Sequence, residues 1–469
     1  MPNSGSANFI ENKTYDEIAV GDSAILVRTL RQEDIQMFAI MSGDINPAHV
    51  DPEFAHSSMF HEVIAHGMWG GALISTVLGT QFPGPGTIYI DQSLHFSHPV
   101  RVGDTLTVKV SCRRKFDHNH HMILDCLCTD QDGHTVMSGA AEVLAPIEKI
   151  KRQRADLPDF KLSESRQSRY EHLLEITKGL SAISMAVVHP VDDESLQGAL
   201  LARDEELIVP TLVGPEAKIR GVAERLNVSL KDCRIINVPH SHAAVDMAVA
   251  LARDGEVEAL MKGALHTDEL MAAVVARDGL RTARRISHVF IMDVPAYPRP
   301  LMITDAAINV DPTLEDKVSI VQNAIDLAHM LKVPEPKVAI LAAVETVNPT
   351  MRATLDAAAL CKMADRGQIT GGLLDGPLGY DNAVSVVAAR TKGIKSAVAG
   401  QADILLVPNI ETGNMLAKQL EYLSDALGAG IVLGARVPIV LTSRADSAES
   451  RAASTAVAVV IAHAKRNRK

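Results

Sequence analysis

Residues 402–420 read ADILLVPNIETGNMLAKQL. A short apolar run stops at Pro408–Asn409, and a helical pattern begins at once. The same grammar recurs on both sides. ISMAVVHP, LIVPTLVGP, CRIINVP, ALMKG, HVFIMDVP, LMITDAA, KVAILAAVE and ITGGLLDGP precede it, and AGIVLGARVPIVLTS follows. Helical patterns such as AAVDMAVALARDG and LEDKVSIVQNAIDLAHMLK lie between most of them. Repeated strand–helix units give a parallel or mixed sheet covered by helices on both faces. About ten such strands in residues 170–469 predict two α/β subdomains with a cleft between them.

Residues 1–147 follow a different pattern. One early helical stretch, Gln32–Met41, is followed by the apolar run Gly67–Leu78. Alternating segments come next: Ile88–Phe96, Thr105–Arg113, Met122–Thr129 and Thr135–Leu144, separated by HPVRVGD, KFDHNH and DQDGH. This predicts an α+β domain, a curved antiparallel sheet covered by one long helix. Residues 148–169 are charged, lack a sustained apolar face and read as a linker. The expected organisation is therefore 1–147, a linker at 148–169, and 170–469.

The chain has 469 residues, more than one ordinary core holds, with 47% hydrophobic and 22% charged residues. A net charge of −11 argues against nucleic acid or an anionic membrane as main partner, while leaving room for local basic pockets. Five scattered cysteines without a C-x-x-C predict a reduced, cytoplasmic protein. No stretch has the ~18 uninterrupted apolar residues of a membrane span. Cys126 and Cys128 are expected on one face of a strand, packed in the core.

SGDINPAHVD (42–51) sets Asp44, Asn46 and His49 in a loop between two helical patterns. A carboxylate and an imidazole at this spacing can share one water as acid and base. Asp, Asn and Pro are also turn residues, and on spacing alone a plain turn is the favoured reading. In AHGMWGG (65–71), Gly67 begins an apolar helix whose free N–H groups can hold a developing oxyanion. His66 faces the site or caps that helix. His118, His120 and His121 fall at a hairpin turn, which suits a solvated turn better than a metal site.

FAIMSGDINPAHVDPEFA, IAHGMWGGALISTVLG and PGPGTIYIDQSLHFSHPVRVGDTL occur in this order. They resemble the MaoC-like, (R)-specific enoyl-CoA hydratases of the hot-dog fold. The resemblance implies that Asp44 and His49 activate water for addition to a 2-enoyl-CoA. It also implies that Asn46 orients the loop and that the Gly67 N–H holds the thioester oxygen.

In the second half no nucleotide-binding G-x-G-x-x-G or P-loop appears in context. Five segments instead offer anion-binding residue types where strands are expected to end. MKGALHTDEL carries Lys262 and Gly263, and GLRTARRISH carries Arg281. LLDGPLGYDNA carries Gly376 and Asp381, PNIETGNMLAKQL carries Thr412, Gly413 and Asn414, and LTSRADSAESR carries Ser443 and Arg444. Ligands in parallel sheets sit beyond the carboxyl ends of strands, so the five together point to a phosphate-bearing substrate. Guanidinium pairs bidentately with phosphate, which suits Arg281 and Arg444.

These blocks resemble the phosphate acetyl/butyryltransferases across about residues 170–465, with a look closer to the butyryl branch. The resemblance implies a fold of two subdomains like those of isocitrate and isopropylmalate dehydrogenases. It implies reversible acyl transfer between CoA and phosphate without a metal or a tightly bound cofactor, CoA thioesters and inorganic phosphate being substrates. Ser443 would donate to the thiolate or carbonyl oxygen. The acetyl branch has an aspartate seven residues after that serine, and here the position is Ser450. Asp446 and Glu449 lie near, and the base stays unassigned. Two other readings remain: a C-terminal acyl-CoA-sensing module, and a metal-dependent dehydrogenase, which lacks a clear acidic triad. Both resembled families pair their subunits, so a homo-oligomer is expected.

Overall fold

The structure, a computed structural model, describes residues 9–155, 169–171, 174–443 and 446–467. The chain divides into two compact units, Met1–Leu162 and Ser163–Lys469.

In the first unit, alternation becomes strand. After β1 (Phe9–Glu11), a five-stranded antiparallel sheet is made of β2 (Ser23–Thr29), β3 (Ile88–Phe96), β4 (Thr105–Phe116), β5 (His121–Thr129) and β6 (Thr135–Leu144), in the order β2-β4-β5-β6-β3. Every second residue of the central strands is buried, among them Val108, Val110, Met122, Leu124, Cys126 and Cys128. The two cysteines are core residues, as their shared parity required. Three short helices, α1 (Gln32–Ser42), α2 (Pro47–Val50) and α3 (Pro52–Ser57), precede the long α4 (Gly67–Thr80). Helix α4 buries Trp69, Ile74, Val77 and Leu78 against the sheet. Close pairing of β3 with β6 depends on Gly139, where a Cβ would stand 1.9 Å from the Ser93 carbonyl oxygen. The strand β7 (Lys151–Gln153) pairs antiparallel with β1. Part of the expected linker is therefore a strand, because its backbone groups find partners on Phe9–Glu11 despite its charged side chains. Residues 156–168 of that stretch lie outside the described residues.

The expected turn at 118–121 holds no convergent histidines. His121 Nδ1 meets Glu142 at 2.8 Å, the His120 ring stands edge-on to Tyr15, and that of His118 edge-on to Phe116.

The second unit is built on one sheet. Its strands are β8 (Ile183–Val188), β9 (Ile208–Gly214), β10 (Arg234–Asn237), β11 (Ala259–Lys262), β12 (Ser287–Asp293), β13 (Leu301–Thr304), β14 (Lys337–Leu341), β15 (Leu373–Leu378), β16 (Ile404–Leu406), β17 (Leu427–Leu433) and β18 (Ile439–Val440). The order is β10-β9-β8-β11-β18-β17-β12-β13-β16-β14-β15. Both flanks are parallel within themselves, but the β18-β17, β17-β12 and β12-β13 pairs are antiparallel. Three reversals leave the two flanks running in opposite directions.

Helices among the described residues include α5 (Asp193–Asp204), α6 (Glu216–Leu226), α7 (Ser241–Arg253), α8 (Thr267–Val274), α9 (Leu314–Met330), α10 (Arg352–Asp365), α11 (Tyr380–Val384), α12 (Val386–Thr391), α13 (Ile410–Leu423) and α14 (Ala448–Arg466). One sheet face carries a single apolar cluster spanning both flanks, from Leu212 to Ile404, with α14 across its middle. The other face carries two clusters. One lies under α7 and α8, and the other includes α11, α12 and α13. The two expected subdomains thus share one sheet and one core, and are distinct on one face only.

Candidate active sites

In the first unit the loop after α1 is set by local chemistry. Gly43 ends the helix at φ +74°, donating its N–H to Ala39. Pro47 starts α2, and the Asn46 side chain caps it by accepting the Ala48 N–H at 3.1 Å. The Asn46 N–H donates to Asp44 Oδ1 at 3.2 Å. Asn46 thus holds the loop at both ends.

His49 Nδ1 lies 2.8 Å from the Ile64 carbonyl oxygen. A carbonyl only accepts, so Nδ1 carries the proton, and in the neutral imidazole Nε2 then has the lone pair. His66 is buried and binds the Asp44 carbonyl through Nε2 at 2.9 Å. Its ring stacks 4.0 Å from that of His49. Of the two readings the sequence left open it takes the first: it stands at the site, and although it occupies the N-cap position of α4 its side chain makes no capping bond. One carboxylate oxygen of Asp44 and one ring nitrogen each of His49 and His66 lie within 4.8 Å of one another. A cavity of about 360 Å³ adjoins the two histidines, lined by His49, His66, Gly67, Trp69, Phe96 and His98 among others, while Asp44 is exposed beside it. Gly67 opens α4 at this wall, where a Cβ would stand 3.0 Å from the Phe96 ring. The arrangement offers a base, a carboxylate and a helix N-terminus beside an apolar hole.

In the second unit a cavity of about 630 Å³ lies between α8 and α13, where the two clusters of the divided face meet. Lys262, Thr267, Asn414 and Ser443 line it, as do His266, Phe290, Lys418 and Thr442. Lys262 is buried at the end of β11. Lys418 reaches Glu421 at 2.8 Å and Asp446 at 3.2 Å. Burial lowers its pKa, but these two carboxylates outweigh it and hold the ammonium above its usual range. Asp446 is buried and accepts the Ser443 N–H at 2.7 Å. Ser450 is buried in the first turn of α14, its N–H given to Ser447 Oγ.

The five segments do not all meet. Arg281 is exposed, precedes β12 and forms a backbone bridge to Ala435. Gly376 lies in β15, packed against Ile340, and Asp381 is exposed and paired with Lys392 at 2.9 Å. Strand β15 is the sheet edge, six positions from β18, or about 29 Å at ~4.8 Å per strand. The expectation of a common edge fails because Arg281 stands before a strand and β15 lies at the far rim of the sheet, whereas α13, which follows β16 of the same flank, does reach the cavity. Thr412 turns its hydroxyl to Asn409, inside the helix cap. Gly413 and Gly263 are packing glycines: a Cβ would stand 2.8 Å from Val407 and 2.4 Å from the Val188 carbonyl oxygen, respectively. Arg444 lies outside the described residues. Sequence reasoning missed Lys418, although its i+4 spacing from Asn414 on α13 puts both on one helix face.

Comparison with known proteins agrees with this division. Residues 239–459 match the family described as "Phosphate acetyl/butaryl transferase", and residues 21–125 match the "MaoC like domain". A phosphate acetyltransferase of Rickettsia felis is 57% identical over 306 residues, 65% of this chain and 87% of the relative. A phosphate butyryltransferase of Clostridium beijerinckii is 40% identical over 294 residues, 62% of this chain and 97% of the relative. The relatives include both acetyl- and butyryltransferases, with the higher identities on the acetyl side. A branched-chain phosphotransacylase from Enterococcus faecalis shares the fold with a TM-score of 0.54 and 29% identity, over 60% of this chain and 99% of that one. The chain belongs to the phosphate acetyl/butyryltransferase family and carries a MaoC-like, hot-dog domain ahead of that region.

Proposed function

We propose that the protein is a bifunctional enzyme of acyl-CoA chemistry. The second unit transfers an acyl group reversibly between CoA and inorganic phosphate, with acetyl-CoA as preferred substrate. A phosphate oxygen attacks the thioester carbonyl, the C–O bond forms, the C–S bond breaks, and the thiolate leaves as CoA thiol after taking a proton. Ser443 donates its hydroxyl to the carbonyl oxygen or the departing sulfur, and Arg444 and Lys262 supply positive charge for phosphate. Such a reaction needs positioning and charge complementarity. The observation that supports this reading is the convergence of Lys262, Asn414 and Ser443, far apart in sequence, on one cavity in a chain of this family.

The first unit adds water to a 2-enoyl-CoA with (R) stereochemistry. His49 Nε2 takes a proton from water as its oxygen bonds to C3. Asp44 holds that water, and a proton is returned to C2. The Gly67 N–H binds the thioester oxygen. The lone pair left on His49 Nε2 by the Ile64 carbonyl supports this reading.

The test is release of CoA thiol from acetyl-, butyryl- and 3-hydroxybutyryl-CoA with and without phosphate, beside hydration of crotonyl-CoA. Phosphate-dependent release, fastest with acetyl-CoA, is expected. No release from protein that still hydrates would turn the second unit into an acyl-CoA-sensing module.

A further inference from the structure

The carboxylate found seven residues after the serine in the acetyl branch is replaced here by buried Ser450, and the next residue, Arg451, is the largest fully buried side chain among the described residues. Its guanidinium sits behind the cavity. Nη2 donates to the Ser443 carbonyl at 2.8 Å, and Nη1 to the Lys262 carbonyl at 3.4 Å. These two residues follow β18 and end β11, which are neighbours in parallel register, Met261 opposite Val440. One planar fork therefore spans two adjacent strand ends that each present a side chain to the cavity. The arginine stem is itself fixed. Gly198 of α5 leaves room for it, since a Cβ there would stand 2.5 Å from Arg451 Cδ. On the opposite side of Ser443, the Asp446 carboxylate accepts its N–H at 2.7 Å and is in turn held by Lys418.

We propose that Arg451 is a positioning residue of the transferase site: with Asp446 it grips the Ser443 backbone by its carbonyl and its N–H, and it sets Ser443 in register with Lys262. The assignment rests on the transferase reading above. Removing the guanidinium leaves the Ser443 and Lys262 carbonyls without that donor, so its replacement costs stability as well as alignment, and melting beside kinetics separates the two. What Arg451 supplies is alignment, and misplacing a reacting group by about 1 Å costs on the order of a hundredfold in rate.

The test is steady-state kinetics of phosphate-dependent CoA release by full-length wild type, Arg451→Met, Arg451→Lys, Asp446→Asn and Asp446→Ala, with thermal melting of each. The expected result for Arg451→Met is a kcat lower by roughly ten- to a hundredfold, a KM for acetyl-CoA within about threefold, and a folded protein at assay temperature. Lysine reaches one carbonyl at a time, so Arg451→Lys recovers part of kcat. Asp446→Asn keeps an acceptor for the Ser443 N–H and is expected to retain more kcat than Asp446→Ala. A folded Arg451→Met with wild-type kcat overturns the assignment. So does a loss of kcat that only tracks the unfolded fraction, or a loss confined to KM. If Arg451→Met does not fold, Arg451→Lys decides: wild-type kcat in that variant overturns the assignment, and a reduced kcat at unchanged KM supports it. Wild type without phosphate-dependent release overturns the transferase reading itself, which separates the two failures.

Discussion

The two sites are encoded at different ranges. The first is written in two short stretches, 42–51 and 65–71, and its parts are fixed by local devices: a glycine helix stop, an asparagine cap, a proline start. The second is drawn from residues 262, 267, 414, 418 and 443, and its supports come from residues 446 and 451. Only a sheet folded through three antiparallel reversals brings them together. A motif contained in a loop keeps its meaning when read alone. A site made at strand ends depends on strand order and direction, which the motifs do not carry.

The sharpest way to break this comparison is to remove one site and watch the other. Asp44→Asn is expected to slow crotonyl-CoA hydration by about 10²–10⁴-fold while phosphate-dependent thiol release stays at the wild-type rate. A matching fall in both rates would mean that the sites are not separately encoded. Ser443→Ala is expected to lower thiol release by about 10²-fold, the scale of one lost oxyanion donor, with hydration untouched. Retained release would remove Ser443 from the chemistry.

A third experiment concerns the shared core of the second unit. Lys317 lies 2.7 Å from Asp356, both buried, with Arg352 at 3.5 Å as the other cation. Lys317→Met leaves a buried carboxylate with its weaker partner and is expected to cost about 3 kcal/mol in urea unfolding of that unit. Because one cluster spans both flanks, unfolding of the second unit should remain a single transition. Two separate transitions there would show that the halves are independent after all.

The smallest effect is a surface one. Arg466 donates to Glu258 at 2.6 Å, and this bond, ahead of those from Ser184, pulls the Glu258 carboxyl below its usual range. A depressed carboxyl pKa adds stability that is complete above the unfolded value of about 4.3 and is lost as pH falls through the folded value. Glu258→Gln should lower the stability of the second unit by less than ~1 kcal/mol above about pH 4.3, read as a slightly lower melting temperature. The wild-type and variant curves should converge in more acid solution. Curves that stay parallel would assign the stabilisation to something other than this charge.

Much of the fold was legible. Ile88–Phe96 and Thr135–Leu144 are strands at the bounds their alternation marks, and the apolar run after Gly67 is the long helix. The loop of Asp44, Asn46 and His49 was legible because its capping chemistry is local. His66 was half legible, since its place before α4 marked a cap but not its bond to the Asp44 carbonyl. Lys262, Asn414 and Ser443 were found by residue type. Arg281, Gly376 and Asp381 were equally plausible by residue type and lie elsewhere.

By itself the sequence determined the two kinds of architecture, the loop that carries Asp44, Asn46 and His49, and the family of the second region. Those follow from periodicity, caps and contiguous motifs, which act over a few residues. Only the tertiary structure decided that the second unit has one sheet with opposed flanks, that Lys418 joins its cavity, and that Arg451 stands behind Ser443. Strand order and direction are set by packing across hundreds of residues, where no local spacing records which strand ends will meet.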